Sequence, residues 1–249
     1  MIKMEFSFVE FWGRKSWVMI SKCTFPIERN MANGATYTIT SEDIEAVHKP
    51  SVWDVGNQIL YDMCTRYPGH TRSDEIIAKI WLIGRTYAAS IERRKNADLN
   101  NDDFYELTVA PEMKMEPIDS WLAAIKSDDR PGSSLSVTIH KRMMGLFYSF
   151  TELEKRSLAS KYLHFHRPNA FFIYDSRVKQ SITKVAPRLN AIPEIETDEF
   201  DLEYKNFVRR CNWLKNYVLE TFDVSLSPRE IDKLLLMIGS NVKKKNHRS

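Results

Sequence analysis

The sequence predicts a mostly α-helical fold, and three observations lead there. Apolar residues recur at helical spacing over long windows: Ile76, Ile80, Ile83, Tyr87 and Ile91 make one stripe, and Ile231, Leu234, Leu235 and Ile238 another. Helix-start signals punctuate the chain, among them Thr40-Ser41-Glu-Asp, Ser73-Asp-Glu and Ser227-Pro228. β-prone composition is confined to the first 40 residues. The reading is an irregular array of about nine helices, with room for a small β-hairpin near the N-terminus.

Bulk properties narrow the class. A chain of 249 residues fits one domain, or two small lobes with a groove between them. Hydrophobic residues make up 43%, enough for a sizeable core. The formal net charge of +3 argues against a general polyanion-binding surface and leaves a local basic face open. Cys23, Cys64 and Cys211 are widely spaced, which argues against a zinc site or a disulfide framework and suits a reducing cytoplasm. The start, Met1-Ile-Lys-Met-Glu-Phe, lacks a signal-like apolar run. No segment approaches the roughly 20 apolar residues that span a bilayer. The expectation is a soluble, intracellular, monomeric protein with no metal and no cofactor.

Taken in order, Phe6, Phe8, Phe11, Trp12 and Trp17 precede the turn signal Asn33-Gly34 and the β-prone Ala35–Thr40, which together allow the hairpin. A helix opens at Thr40. Another opens near Ser51, with Val52, Val55, Ile59 and Met63 at helical spacing, and ends near Pro68-Gly69. The strongest helix runs from Ser73 toward Arg94, with Trp81, Gly84 and Ala88 widening its apolar face. Residues 95–115 read as an exposed polar loop. Pro117 starts a helix, 128–134 is a loop, and Leu135–Phe150 is helical. Thr151 and Glu154 have capping-box spacing for the next helix, which must stop before Pro168. After Val185, Pro187 interrupts, and 192–198 is an acidic loop. Asp201–Phe222 buries Phe207, Cys211, Leu214 and Val218 on one face. Ser227-Pro228 opens the last helix, followed by the basic tail Lys243–Arg248.

The chain is organised around Leu158-Ala-Ser-Lys-Tyr-Leu-His-Phe-His-Arg-Pro-Asn-Ala-Phe-Phe-Ile-Tyr-Asp-Ser-Arg-Val178. Phe171–Tyr174 is too apolar for a solvent loop, so Asp175 is held at the edge of the interior. As the residue before a helix, Asp175 is also a good N-cap, worth about 1 kcal/mol, and a cap needs no chemistry.

The string Phe-Phe-Ile-Tyr-Asp-Ser-Arg-Val-Lys-Gln-Ser-Ile resembles the segment carrying the catalytic aspartate in DNA glycosylases of the helix-hairpin-helix superfamily. Ala159-Ser160-Lys161-Tyr162-Leu163-His164-Phe165 resembles bacterial proteins of the 8-oxoguanine-glycosylase type of fold, and Gly84-Arg85-Thr-Tyr87 through Ile91-Glu92-Arg93 resembles a second segment of them. The resemblance covers roughly a tenth of the chain and implies the helical glycosylase fold. It also implies double-stranded DNA with a flipped base as the partner, and excision of a damaged or modified base, in repair or against phage DNA. Two departures stand in the sequence. The segment Ser149–Leu158 has no glycine hairpin for a phosphate, and Lys161 lies about one helical turn nearer the aspartate than a superfamily lysine would.

The chemistry gives each residue a role. Breaking an N-glycosidic bond builds positive charge on the sugar, which a carboxylate such as Asp175 stabilises while activating the nucleophile. A partly desolvated Lys161 could instead attack as an amine and nick the strand; it could also be a surface lysine. Arg85, Tyr87, Glu92, Tyr162, His164 and Tyr174 are the candidates for substrate contact. Arg85 and Glu92 are equally readable as a solvated ion pair, and each histidine and most of the aromatics, Phe172, Trp53 and Trp81 included, as core. Arg177, Lys179, Lys184 and Arg188 are the candidates for DNA phosphates. A non-catalytic binding module is the alternative. A nuclease-like or toxin reading has no D-x-E-x-K or H-x-x-x-H constellation to support it.

Overall fold

The computed structural model describes the backbone of residues 5–11, 14–20, 35–96, 98–126 and 129–246, and the side chains of 35–96, 98–126 and 129–240. The fold is mostly helical. Strands β1 (Glu5–Phe11) and β2 (Arg14–Ile20) pair antiparallel, with Phe8 opposite Trp17. The hairpin therefore turns upstream of the expected place. Asn33-Gly34 lies outside the described residues, and Ala35–Thr40 is not a strand: the Thr36 and Tyr37 amides both donate to the Lys184 carbonyl (2.7 and 3.0 Å).

Helix α1 (Ser41–His48) starts where the spacing predicted. Thr40 accepts from the Asp43 amide and Asp43 from the Thr40 amide, a reciprocal cap. Helix α2 (Asp54–Arg66) is rotated from the expected face. Val52, Val55 and Ile59 are exposed, and Asn57, Leu60 and Cys64 are buried. Polar anchors fix that rotation: the Tyr61 hydroxyl is 2.6 Å from His164 Nε2, and Asn57 Oδ1 accepts from the Tyr87 hydroxyl at 2.6 Å.

Helix α3 (Ser73–Thr86) buries Ile76, Ile80 and Ile83 completely but ends eight residues before Arg94. Ala88 adopts φ +48°, and the Ala89 amide donates back to the Gly84 carbonyl at 2.8 Å, a left-handed C-terminal cap. Gly84 permits the fold-back, since a Cβ there would lie 3.3 Å from the Ser90 Cα. Ile91 is still buried, but from a loop.

The expected loop 95–115 is largely helical. Helix α4 (Asn101–Phe104), a π-helical turn (Tyr105–Val109) and α5 (Ala110–Met115) bury Phe104, Tyr105, Val109, Ala110 and Met113. The polar run 95–103 hides this in the sequence. The Ala110 amide reaches the Tyr105 carbonyl immediately before Pro111, so the wide turn sits where proline supplies no donor.

Helix α6 (Ile118–Ala124) and α7 (Ser134–Thr151) follow. Thr151 does not cap the next helix. Its hydroxyl donates to the Phe147 carbonyl at 2.5 Å and closes α7, with Glu152 left-handed (φ +54°). Helix α8 (Arg156–His166) begins after Lys155 without a side-chain cap. Helices α9 (Ser176–Val185), α10 (Leu202–Phe222) and α11 (Pro228–Asn246) complete the array, and α11 takes in part of the expected basic tail.

The buried apolar residues fall into two clusters. One gathers α2, α3, the α4–α6 region and most of α7 and α8. The other gathers α1, α9, α10 and α11. The segment 170–174 runs between them, Phe171 in the first and Phe172 and Tyr174 in the second. An extended strip with no sheet partner must satisfy its backbone otherwise. Ala170 O accepts from the Gly132 amide (2.9 Å), Phe171 O faces His164 Nδ1 (2.8 Å), and Phe172 O accepts from the Tyr204 hydroxyl (3.1 Å). The Tyr174 amide donates to Ser160 Oγ at 2.9 Å. Among the described residues no helix is long and apolar enough to cross a membrane.

Candidate active site

The strip delivers Asp175 to the start of α9, opposite α8. Asp175 Oδ1 accepts from the Arg177 amide at 2.9 Å, the N-cap bond. Its Oδ2 lies 3.4 Å from Lys161 Nζ, and Arg177 Nε is 3.3 Å from Oδ1. Lys161 also donates to Ser157 Oγ at 2.7 Å, one turn back on α8, and to the Tyr87 carbonyl at 3.5 Å. Its ammonium stands 5.5 Å from the Tyr87 ring centre.

The two partners differ in access. The Lys161 side chain is 1% exposed and that of Asp175 is 21% exposed. Burial pushes the Lys161 ammonium below its ordinary range, partly offset by Asp175. Burial pushes Asp175 up, but the Arg177 amide, Lys161 and the Arg177 guanidinium outweigh it, so the carboxyl sits below its ordinary range. The result is a charged pair with the anion outermost.

One of the expected substrate contacts adjoins this pair: Tyr87, through its carbonyl and ring. Arg85 stands in the last turn of α3 and Glu92 in the loop after it. Arg85 Nη2 bonds Glu92 Oε2 at 2.7 Å across the fold-back after α3, with the Tyr105 hydroxyl on Glu92 Oε1 at 3.1 Å. Because α3 ends at Thr86, the pair is not two positions on one helical stripe. Beside it lies a cavity of about 530 Å³ lined by Ala88, Ala89, Ser90, Arg93, Lys155 and Ser157. Lys155 braces that wall by donating to the Ser90 and Arg93 carbonyls, and burial lowers its ammonium to about 8.

Other candidates are placed elsewhere. Tyr162 is fully buried in the first cluster, its hydroxyl 2.7 Å from His70 Nε2, whose Nδ1 is 2.6 Å from Asp119 Oδ1. His164 is fully buried between Tyr61 and the Phe171 carbonyl, and burial lowers its imidazole to about 4. Tyr174 points its hydroxyl to Glu203, in the second cluster. Phe172 is core, whereas Trp53 and Trp81 are exposed. Of the basic residues, Arg177 is 69% exposed. Lys179 pairs with Glu203, Lys184 is half-buried late in α9, and Arg188 is exposed before the short 3-10 turn Leu189–Ala191.

The structure also brings in residues that the sequence reading passed over. Ser157 holds Lys161. Tyr61 and Asn57 hold His164 and Tyr87, and the buried Asn57 Nδ2 has no partner. From α11, Arg229 Nη1 bonds the buried Asp232 Oδ2 at 2.5 Å. Burial pushes Asp232 up to about 6, moderated by Arg229 and Lys161. The signal for Asp232 was a carboxylate three residues before Leu235, on a buried helical face. Among the described residues no group of three or more His, Cys, Asp or Glu could hold a metal ion.

Compared with known proteins, the chain matches no family model, no curated protein and no solved structure.

Proposed function

We propose that this chain is a DNA glycosylase that removes a damaged or modified base from duplex DNA and leaves an abasic site. The observation that carries the reading is the 3.4 Å pairing of Lys161 with Asp175, in which only the carboxylate meets solvent. The motif segments on α8 and α9 supply that pair. In the reaction the N-glycosidic bond breaks with its electron pair leaving on the base. Water adds to the anomeric carbon and gives a proton to Asp175, and the departing base takes one from solvent. A carboxylate kept ionised beside Lys161 and Arg177 is suited to oppose the sugar's positive charge. Repair and defence against phage DNA with modified bases are both served by this chemistry. The exposed Arg177 is the best placed of the basic candidates to meet a phosphate.

The non-catalytic binding module has one observation in its favour. Asp175 is fully accounted for as the α9 cap, with the Arg177 amide at 2.9 Å. Free bases released from cellular and phage DNAs, measured by mass spectrometry, separate the two. Release supports the glycosylase, and no release from any DNA favours the module.

A further inference from the structure

A second cavity, of about 390 Å³, lies between α9 and the first turns of α10, and the excision scheme leaves it unused. Ile182, Leu189 and Phe207 give it an apolar wall. Its charged wall holds three cations, Arg156, Lys179 and Arg210, and two carboxylates, Asp201 and Glu203. Both carboxylates are engaged. Asp201 accepts from Arg156 Nε at 2.5 Å and Nη2 at 2.8 Å, and from the Tyr204 amide as the α10 cap. Glu203 accepts from the Tyr174 hydroxyl and from Lys179, with Arg156 Nη1 3.1 Å away. Glu154, outside the cavity, adds a further bond to Arg156 at 3.0 Å. Arg156 and Lys179 are thus neutralised by groups of the chain itself.

Arg210 is not. Its Nε is buried and has no hydrogen-bond partner among the described residues. Burial and the neighbouring Arg209 press its guanidinium below the ordinary range, and no carboxylate opposes them. Arg209 cannot share its own partners, since it is held by the Leu189, Ile192 and Pro193 carbonyls and by Glu194. A buried donor without an acceptor costs free energy that a bound acceptor recovers. Asn206 stands four residues before Arg210, on the same face of α10. Its Oδ1 accepts from Arg209 Nη1 at 3.2 Å, which leaves the Nδ2 hydrogens available to a ligand.

We propose that this cavity binds one singly charged oxyanion carried on an apolar body, with Arg210 as its ion-pair partner and Asn206 as a second donor. A guanidinium meets a carboxylate or a phosphodiester through two parallel N–H···O bonds. The wall carries one cation in excess of its carboxylates, so one negative charge balances it. A second negative charge would face Asp201 and Glu203. The apolar wall of Ile182, Leu189 and Phe207 receives the rest of the ligand. This chemistry has two sources, the phosphodiester link of a nucleic-acid strand and a small organic carboxylate. The proposal does not rest on the excision reading.

The test observes the Arg210 Nε–H NMR signal in the full-length protein, assigned with Arg210→Lys. Benzoate, diethyl phosphate, phenyl phosphate and a short DNA duplex are titrated separately at fixed ionic strength. The titrations are run at about pH 7, where a phosphomonoester with a second pKa of about 6 is mostly dianionic. The Arg210 signal should shift saturably with benzoate or diethyl phosphate, and phenyl phosphate should bind no more tightly than benzoate. Calorimetry should show binding weakened roughly tenfold or more in Arg210→Gln and in Asn206→Leu, with thermal melts showing that both are folded. A response to the duplex as well as to diethyl phosphate names a nucleic-acid strand as the source. A response to the small monoanions without the duplex names a small organic anion. No saturable shift with either monoanion overturns the proposal, and that titration needs no variant to fold. Binding unchanged in Arg210→Gln, or phenyl phosphate bound more tightly than benzoate, overturns it as well.

Discussion

Phe171 and Phe172 are consecutive in the chain and are buried in different apolar clusters. The strip that carries them therefore cannot slide or rotate without withdrawing a ring from one core. Asp175 follows directly, so its position opposite Lys161 is inherited from that double anchorage. Gly132 is part of the clamp. It has φ +67°, donates to the Ala170 carbonyl, and a Cβ there would overlap the Val208 side chain and press on Phe172. Gly132→Ala should cost about 2–4 kcal/mol, from left-handed strain plus overpacking. Urea denaturation reads this directly, and a variant within about 0.5 kcal/mol of wild type would refute the clamp.

Acid should unfold the protein through its histidines. Burial depresses His70 and His164 to about 4 and His140 to about 3, and holds His166 well below its ordinary value. A base depressed in the folded state leaves the unfolded chain holding more protons between the two values. Stability from these groups is complete above about pH 6.5 and is lost as pH falls toward 4. Asp232, raised to about 6, works in the opposite direction, because the folded state binds its proton first. Four histidines outweigh one carboxylate, so unfolding near pH 5 should take up roughly two to three protons. Denaturant titrations at several pH values measure that slope. Stability that is flat from pH 7 to 4.5 would contradict it.

DNA binding should separate two basic neighbours on α9. Arg177 is exposed beside the carboxylate, whereas Lys179 is engaged by Glu203. Arg177→Gln should weaken duplex binding and reduce its salt dependence by about one unit of slope. Lys179→Gln should change the slope less. Equal effects, or none from Arg177, would place the DNA on another face.

Borohydride trapping addresses the lysine. An amine nucleophile forms an imine with the sugar, which reduction converts to a covalent adduct. Lys161 is nearly inaccessible and its ammonium is supported by Asp175. Wild-type protein should therefore give no trapped adduct, and strands should stay intact without added base. An adduct lost in Lys161→Gln would establish the amine mechanism instead.

Much of the fold was legible, because capped apolar stripes are local signals. The start of α1, the core face of α10 and the buried stripe of α11 stand where spacing placed them. Failures trace to interactions that cross the sequence. The rotation of α2 is fixed by Tyr61 on His164 and Asn57 on Tyr87, over 100 residues apart in the first case. The end of α3 rests on Ala88 adopting a left-handed conformation, for which a sequence reader looks for glycine. Phe104, Tyr105 and Val109 were masked by the polar run before them. At the site, Lys161 and Asp175 were readable from one continuous segment. The carbonyl of Tyr87, which meets Lys161 from 74 residues away, is brought in only by packing.

The central claim is that Asp175 acts as a catalytic carboxylate in addition to capping α9. Asparagine caps as well as aspartate, so Asp175→Asn separates the two roles. The decisive measurement is mass-spectrometric quantification of free base released from duplex DNA by wild type and Asp175→Asn, with thermal melts to show that both are folded. The account predicts base release by wild type and loss of at least about 100-fold in the variant, at unchanged fold. Release by Asp175→Asn at the wild-type rate would contradict it.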